Sequence, residues 1–512
     1  DDPPVEEHPE GGGPQAAAAE GSGPRRKFAD LPLCPEIKRA LSEGFGYEDL
    51  TEVQDKTFDA ALEGADLVAR AKTGAGKTLG FLVPALQRAQ GRRGAKAVRG
   101  SVDVLVVSPV RELSAQIAQE AERLVQFCPG ARAVCMTGGV PWTEDLEALD
   151  AAGTDVVILI ATPGRLQTHL SDTAGFPERV SKLQVLVLDE VDQLASDIFR
   201  PATLEIIQAL PPAGERQGLF YSATMSDAVQ ELVKAGARPG HAFVDVLQAA
   251  EQSTPSQIDQ FYAVVPTEDM TRALWKTIQT AKSEHPSPKV VAIFMTGRIA
   301  AYYAEAFRLA GSDLDVFEIH ARLKQNKRTE ASDKFRAAPS GILFTSDVSS
   351  RGLDYPGVTE VIQMGAPHSK AEYIHRLGRT GRAESQGRGF LLMHEFERGF
   401  LARELQDQPV AEVPTDFSDA VGMPDFVSMK IAKNTKAQAY YSRINHVMRN
   451  NPEEVPVLDI MREAKRFAAS IGALDAEGRP PEITRENATK MGVADIDDPC
   501  VYIVDGPAGP EG

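Results

Sequence analysis

What this chain lacks narrows it first. Its β-branched runs, such as Val156 to Ala161 and Val185 to Leu188, are strand-sized, whereas a helical bilayer span needs about 20 consecutive apolar residues; no such span is present. Cysteine is scarce: Cys34, Cys128, Cys135 and Cys500 are scattered without metal-ligand spacing, which points to a reducing compartment and away from cysteine-held metal. Positive charge is not in excess. With 55 Lys+Arg against 73 Asp+Glu the formal charge is −18, which argues against a general nucleic-acid coat protein but leaves room for a local basic groove. The first ten residues hold five carboxylates and no Lys or Arg, the reverse of an organelle transit peptide. Residues 1–27, rich in Gly, Ala and Pro through Pro24, have the composition of a disordered tail. No internal repeat occurs at the short periods of solenoids.

The chain does have the length and composition of several globular domains. At 512 residues, 42% hydrophobic and 25% charged, it predicts about three of them. Two stretches alternate short β-branched runs with helical patterns, the signature of a parallel sheet covered on both faces. In the first, strands are predicted at Val102–Ser108, Val156–Ile160, Val185–Leu188 and Gly218–Tyr221. In the second they are predicted at Val290–Met295, Val316–Ile319, Gly341–Thr345, Glu360–Gln363 and Gly389–Leu392. The boundaries that follow are a first domain over 28–248, a linker over 249–257, a second domain over 258–410 and a helical piece over 411–512. Ligands of such sheets bind at the carboxyl ends of the strands, where most of the motifs fall.

Ala71-Lys72-Thr73-Gly74-Ala75-Gly76-Lys77-Thr78 is a phosphate-binding loop. Its glycines let backbone N–H groups close around phosphate oxygens at a helix N-terminus. Lys77 offers a point charge to the β- and γ-phosphates and Thr78 a hydroxyl to Mg²⁺. Ala71 stands where the strict pattern wants glycine. Downstream, Leu186-Val187-Leu188-Asp189-Glu190-Val191-Asp192 is an apolar strand ending in carboxylates. There Asp189 suits Mg²⁺ and Glu190 suits polarisation of an attacking water.

From these strings the chain resembles a DEAD-box RNA helicase, with DEVD in place of DEAD, over about Phe28 to Val410. The resemblance implies two tandem RecA-like α/β domains and ATP and Mg²⁺ as cofactors. It also implies RNA gripped by its backbone, with local rather than processive unwinding by a monomer. By the same resemblance, Gln54 in Gly46-Tyr47-Glu48-Asp49-Leu50-Thr51-Glu52-Val53-Gln54 reads adenine, with Tyr47 and Phe28 as neighbouring aromatics. RNA contacts are expected from Pro109, Arg111, Gly139, Thr162, Gly164 and Arg165 in the first domain, and from Gln325, Arg328, Thr345 and Gly352 in the second. Asp145 replaces the family's glutamine and Val110 its threonine. Coupling of hydrolysis to closure is expected from Asp192, Ser222, Thr224, Arg351 and His375, with the Ser222 and Thr224 hydroxyls bonded to Asp192. Asp354 would reach the ribose. Arg379 and Arg382, in His375-Arg376-Leu377-Gly378-Arg379-Thr380-Gly381-Arg382, would act as arginine fingers.

The remaining piece is similar to the C-terminal extension of fungal mitochondrial intron-splicing helicases and related plant enzymes. That similarity carries the expectation of an organelle, with nucleus or cytoplasm as alternatives. A helix is predicted over Met429–Arg449 with an apolar stripe (Ala437, Tyr441, Ile444, Met448) beside a basic-aromatic one (Lys433, Lys436, Tyr440, Arg443). A second is predicted over Glu453–Ile471, stopped by Gly472. Residues 411–512 hold 17 Asp+Glu against 11 Lys+Arg, unlike a basic RNA tether. Two readings stay open: a helical buttress on the second domain, or an added contact to RNA or to protein partners.

Overall fold

The computed structural model describes residues 26–71, 74–91, 99–246, 258–346, 355–381, 386–414, 422–451 and 454–505. The expected linker and the tail up to residue 25 lie outside these. The first lobe is built on β1 (Leu67–Arg70), β2 (Val104–Val107), β3 (Ala131–Met136), β4 (Val156–Ala161), β5 (Val185–Asp189), β6 (Gln217–Ser222) and β7 (Ala242–Asp245). The second is built on β8 (Ile258–Val264), β9 (Lys289–Phe294), β10 (Val316–Ile319), β11 (Gly341–Ser346), β12 (Glu360–Met364), β13 (Gly387–Met393) and β14 (Val410–Glu412). Every pairing in both sheets is parallel.

The strand orders are β3-β4-β2-β5-β6-β1-β7 and β10-β11-β9-β12-β13-β8-β14, the same permutation shifted by seven labels. The two lobes therefore repeat one fold, with helices crossing between successive strands. Interior strands β2, β4, β5, β6, β9, β11 and β12 are buried along their whole length; β2 and β4 read as unbroken apolar runs, and the others carry an apolar run within the strand. Five strands are absent from the sequence prediction. Of these β3, β7 and β14 are edge strands with partly exposed side chains, β1 has an apolar run of three residues before Arg70, and β8 is interrupted by Asp259 and Gln260. The sheet also extends past the predicted boundary, since Ala411 and Glu412 pair with Phe261 and Tyr262.

The extension does not stand apart. Phe426, Ile431, Phe467 and Ile471 join the core of the second lobe beside Trp275, Phe307 and Phe344, with Phe426 against Phe307 at 5.4 Å and Trp275 at 5.8 Å. Each such side chain contributes about 1.5–3 kcal/mol on burial. The extension's helices run Lys433–Arg449 and Val457–Ser470. The second ends at Gly472, at φ +65°, where a Cβ would run into the Val427 carbonyl. A core of its own (Tyr440, Ile444, Met461, Ala464, Ala468, Ile483, Val493) and the short β15–β16 pair, Ile483–Thr484 with Ile503–Val504, complete it.

Three of the four residues of the basic-aromatic stripe, Lys436, Tyr440 and Arg443, are buried, and Lys433 is exposed. Lys436 donates to the carbonyls of Val427 (3.3 Å) and Gly472 (3.1 Å). Arg443 forks onto Glu463, whose Oε1 also accepts the Thr267 hydroxyl at 2.6 Å, and Tyr440 is buried. Of the two open readings, the RNA contact loses Lys436 and Arg443, whose cations satisfy buried carbonyls and a carboxylate as a buttress requires. No helix among the described residues is long and apolar enough to cross a membrane.

Candidate functional site

The phosphate loop leaves the end of β1 and enters the Lys77–Gly91 helix. Lys72 and Thr73 lie outside the described residues; Ala71 is buried, its N–H on the Ser222 carbonyl at 2.9 Å. Gly74 and Gly76 adopt φ +78° and +89°. A Cβ on Gly76 would meet Thr51 Oγ1 at 2.7 Å and Gln54 Nε2 at 2.9 Å, so glycine is needed for the loop to lie against the Thr51–Gln54 turn. Gln54 is buried there. Its Oε1 accepts the Thr51 N–H and its Nε2 donates to the Gly76 carbonyl, both at 2.9 Å. An amide offers two donors and two lone pairs, so one of each remains, which is what an adenine edge requires. Tyr47 is exposed and stacks on Phe45 at 5.8 Å. Phe28 is buried against Phe58 at 6.0 Å.

Lys77 is buried with its Nζ 3.1 Å from Glu190 and 3.9 Å from Asp189. Burial lowers its pKa, but Glu190, Asp189 and Asp192 together raise it. Burial pushes Asp189 up to about 7 against the pull of Lys77. For Glu190 burial is also the largest influence, yet Lys77, His375 and Arg379 outweigh it and hold the carboxyl at about 2. Glu190 has φ +52°, a left-handed backbone that costs a non-glycine residue about 1–3 kcal/mol and collects at functional sites. Its Oε2 is buried without a hydrogen bond. The Asp189 carboxylate and the half-buried Thr78 hydroxyl, at the ends of β5 and of the phosphate loop, are oxygen donors of the kind that suits Mg²⁺.

The second lobe closes over this cluster. His375 Nε2 lies 3.3 Å from Asp192 Oδ2. Arg379, buried, donates from Nε to the His375 carbonyl at 3.2 Å. Arg382 lies outside the described residues, as do Arg351, Gly352 and Asp354. The expected bonds from Ser222 and Thr224 to Asp192 are not made. The Ser222 hydroxyl donates to the Thr224 carbonyl at 2.7 Å, and Asp192 Oδ1 accepts the Gln193 N–H at 3.0 Å. Asp192 sits in the Val191–Leu194 turn and meets the other lobe instead.

A second meeting of the lobes brings together four of the expected RNA residues, Arg111, Gly139, Gln325 and Arg328. Pro109 and Arg111 follow β2, Gly139 follows β3, and Thr162 caps the Pro163–Asp172 helix after β4. From the second lobe, Arg328 Nη2 reaches Glu112 Oε1 at 2.5 Å and Gln325 Nε2 donates to it at 3.3 Å, while Arg111 Nη1 donates to Gln325 Oε1 at 3.4 Å. A Cβ on Gly139 would meet Arg111 Nη1 at 2.7 Å and Gln325 Cβ at 3.3 Å. Two expected contacts take other roles. Arg328 is buried as an interlobe strut, and Thr345 is buried with its hydroxyl on the Ile319 carbonyl at 2.7 Å. Gly164 is exposed in the first turn of its helix. Arg165 donates to Asp145 (2.6 Å) and the Val140 carbonyl (2.9 Å), and Asp145 also meets His169 at 2.9 Å. Asp145 thereby fixes Arg165 in place of a direct glutamine contact. Glu112, not among the expected site residues, is the cross-lobe acceptor for Arg328 and Gln325.

Two repeated parallel-sheet lobes, one with a phosphate loop and catalytic-type carboxylates, the other closing on them with a histidine and an arginine, define a two-lobed nucleotide-driven ATPase. The DEAD/DEAH box helicase profile matches residues 51–232 and that of the helicase conserved C-terminal domain residues 270–384; the chain belongs to the DEAD-box helicase family. It is 35% identical over 473 residues to DEAD-box ATP-dependent RNA helicase 26 of Oryza sativa subsp. japonica, covering 92% of this chain and 85% of the relative. It is 33% identical to DEAD-box ATP-dependent RNA helicase 25 of Arabidopsis thaliana, covering 92% and 82%. A structure of Mss116p bound to ssRNA and AMP-PNP superposes with a TM-score of 0.81 at 25% identity, covering 95% of this chain and 98% of that one. That coverage reaches into the extension.

Proposed function

We infer that this chain is an ATP-dependent RNA helicase whose hydrolysis is switched on by closure of the cleft and whose RNA contacts are to the backbone. The observation that carries this reading is the Glu190 cluster: its electrostatics depend on both lobes, with Lys77 from one and His375 and Arg379 from the other. In the roles we assign, Lys77 holds the β- and γ-phosphates and Thr78 and Asp189 hold Mg²⁺, which, when bound, neutralises charge on the phosphoryl group in transfer. Glu190, kept ionised, orients the attacking water, and Arg379, together with Arg382, stabilises charge developing in the transition state. His375 on Asp192 signals closure, and Gln54 with Tyr47 reads the base. Pro109, Arg111, Gly139, Thr162, Gly164 and Arg165 line the RNA track of the first lobe, with Arg165 aimed by Asp145. RNA and ATP act as ligands with differential affinity for the closed state, so their joint binding shifts the population toward it.

RNA-stimulated ATP hydrolysis and strand separation of a short duplex test the activity. Glu190→Gln keeps size and hydrogen bonding but loses the charge. It is expected to lower turnover by about 10²–10⁴-fold while still retaining RNA in the presence of ATP. Normal turnover by this variant overturns the role of Glu190. We also propose an organellar compartment on the subfamily resemblance; imaging of the tagged chain tests it, and a nuclear or cytoplasmic signal overturns it.

A further inference from the structure

The closed cleft carries a cluster that ATP hydrolysis does not call for as a unit. Among the described residues, Glu190, Asp192 and His375 each offer one ligand atom, and these atoms lie within 4.8 Å of one another. Two residues follow β5 in the first lobe, Glu190 directly and Asp192 in the Val191–Leu194 turn, and the third comes from the Lys370–Leu377 helix of the second. Glu190 spends Oε1 on Lys77, but its Oε2 is buried without a hydrogen bond. Asp192 Oδ2 and His375 Nε2 stand 3.3 Å apart. Two ligands on one tetrahedral Zn²⁺, with bonds of about 2.0–2.2 Å, are separated by roughly 3.4 Å; the spacing already present is that of a metal-bridged pair.

We propose that Glu190, Asp192 and His375 form a site for a transition-metal dication of the Zn²⁺ class, separate from the nucleotide's Mg²⁺, and that the ion clamps the lobes together without nucleotide. The donor set decides the metal. One imidazole nitrogen and two carboxylate oxygens suit Zn²⁺ or Co²⁺, whereas Mg²⁺ seeks an octahedron of oxygens and retains its waters. Among the described residues, the three carboxylates Asp189, Glu190 and Asp192 are faced by two fixed cations, Lys77 and Arg379. Because the ligands are split between lobes, an open cleft cannot supply the site, and the ion has differential affinity for the closed form. It thereby withdraws the histidine and the carboxylate that hydrolysis needs and acts as a reversible brake.

The test uses the whole chain, free of nucleotide, titrated with Co²⁺. The expected result is one equivalent bound with visible d–d bands of a nitrogen–oxygen site and no intense thiolate charge-transfer band. Zn²⁺ displaces it, and a large excess of Mg²⁺ does not. His375→Ala and the more conservative His375→Gln, either of which removes the nitrogen ligand, lower Co²⁺ affinity at least tenfold. Small-angle X-ray scattering then reads a smaller radius of gyration on metal addition for the unmodified chain and no change for either variant. Absence of binding, a thiolate spectrum, displacement by Mg²⁺, full affinity in both variants, or binding without compaction each overturns the proposal. RNA-stimulated hydrolysis in Mg²⁺ alone reads the helicase activity separately, so failure of the metal site leaves that reading standing.

Discussion

Two buried charge clusters touch the second lobe, one where the extension packs on it and one in the cleft, and they have opposite character. At the extension, Glu463 takes the Arg443 guanidinium and the Thr267 hydroxyl, and Arg443 lies over the Phe467 ring at 5.1 Å. In the cleft, Lys77 faces Asp189 and Glu190, one carboxylate oxygen has no hydrogen bond, and the backbone at Glu190 is left-handed. The first cluster is satisfied and rigid; the second is strained and short of partners. A buried charge whose hydrogen bonds are complete holds a fold together, and one left incomplete waits for a ligand.

The largest test of that contrast is Lys77→Ala. It removes the phosphate-facing cation and is expected to abolish ATP binding in a nucleotide titration while thermal unfolding stays close to the unmodified chain. ATP affinity at the original level would place the site elsewhere. Arg443→Ala works the other way. It strands a buried carboxylate at a cost of about 3–5 kcal/mol, read as a lower melting temperature, with the salt dependence of RNA affinity unchanged. A reduced salt slope, by about 0.7 per lost phosphate contact, would return Arg443 to the RNA face.

Gln54→Ala tests a residue that belongs to both categories, since it braces the loop and keeps a donor and an acceptor spare. Loss of both base contacts is expected to reduce discrimination of ATP over GTP about tenfold, at about 0.5–1.5 kcal/mol per hydrogen bond. Unchanged selectivity in a four-nucleotide competition leaves Gln54 as a brace alone. The smallest effect concerns pH at the extension. Burial lowers His394 and His446 to about 4 in the folded chain, below the unfolded value of about 6.5. The unfolded state then binds more protons between those limits, so the stability these groups allow is present above about pH 6.5 and is lost as pH falls toward 4. Melting temperature should drop over that window, and His394→Asn should flatten the drop; a flat profile in the unmodified chain contradicts it.

Interior strands were legible because a sheet covered on both faces writes continuous apolar runs: β4, β5 and β6 fall within a residue of expectation. Edge strands such as β7, with alternate residues partly exposed, leave no such run. The helix Lys433–Arg449 shows a different limit. Its periodicity marks two stripes, yet nothing in the period says which one is inward, because a Lys or Arg is buried as readily as a Tyr once carbonyls and a carboxylate meet it. The apolar stripe is not exposed either; Ile444 is fully buried and Ala437, Tyr441 and Met448 are half-buried, while Lys433, Asn434, Asn445 and Arg449 face outward.

The sequence by itself determined the chemistry: the phosphate loop, the DEVD carboxylates and the arginine-bearing helix are local strings whose residue types and spacing specify how phosphate, metal and charge are handled. Tertiary structure alone decided the pairings across the cleft, His375 with Asp192 and Arg328 with Glu112, and the inward turn of Arg443. Those partners are between 20 and 216 residues apart in the chain, and their pairing follows from how two sheets and an extension pack, a property of the whole fold that no local spacing encodes.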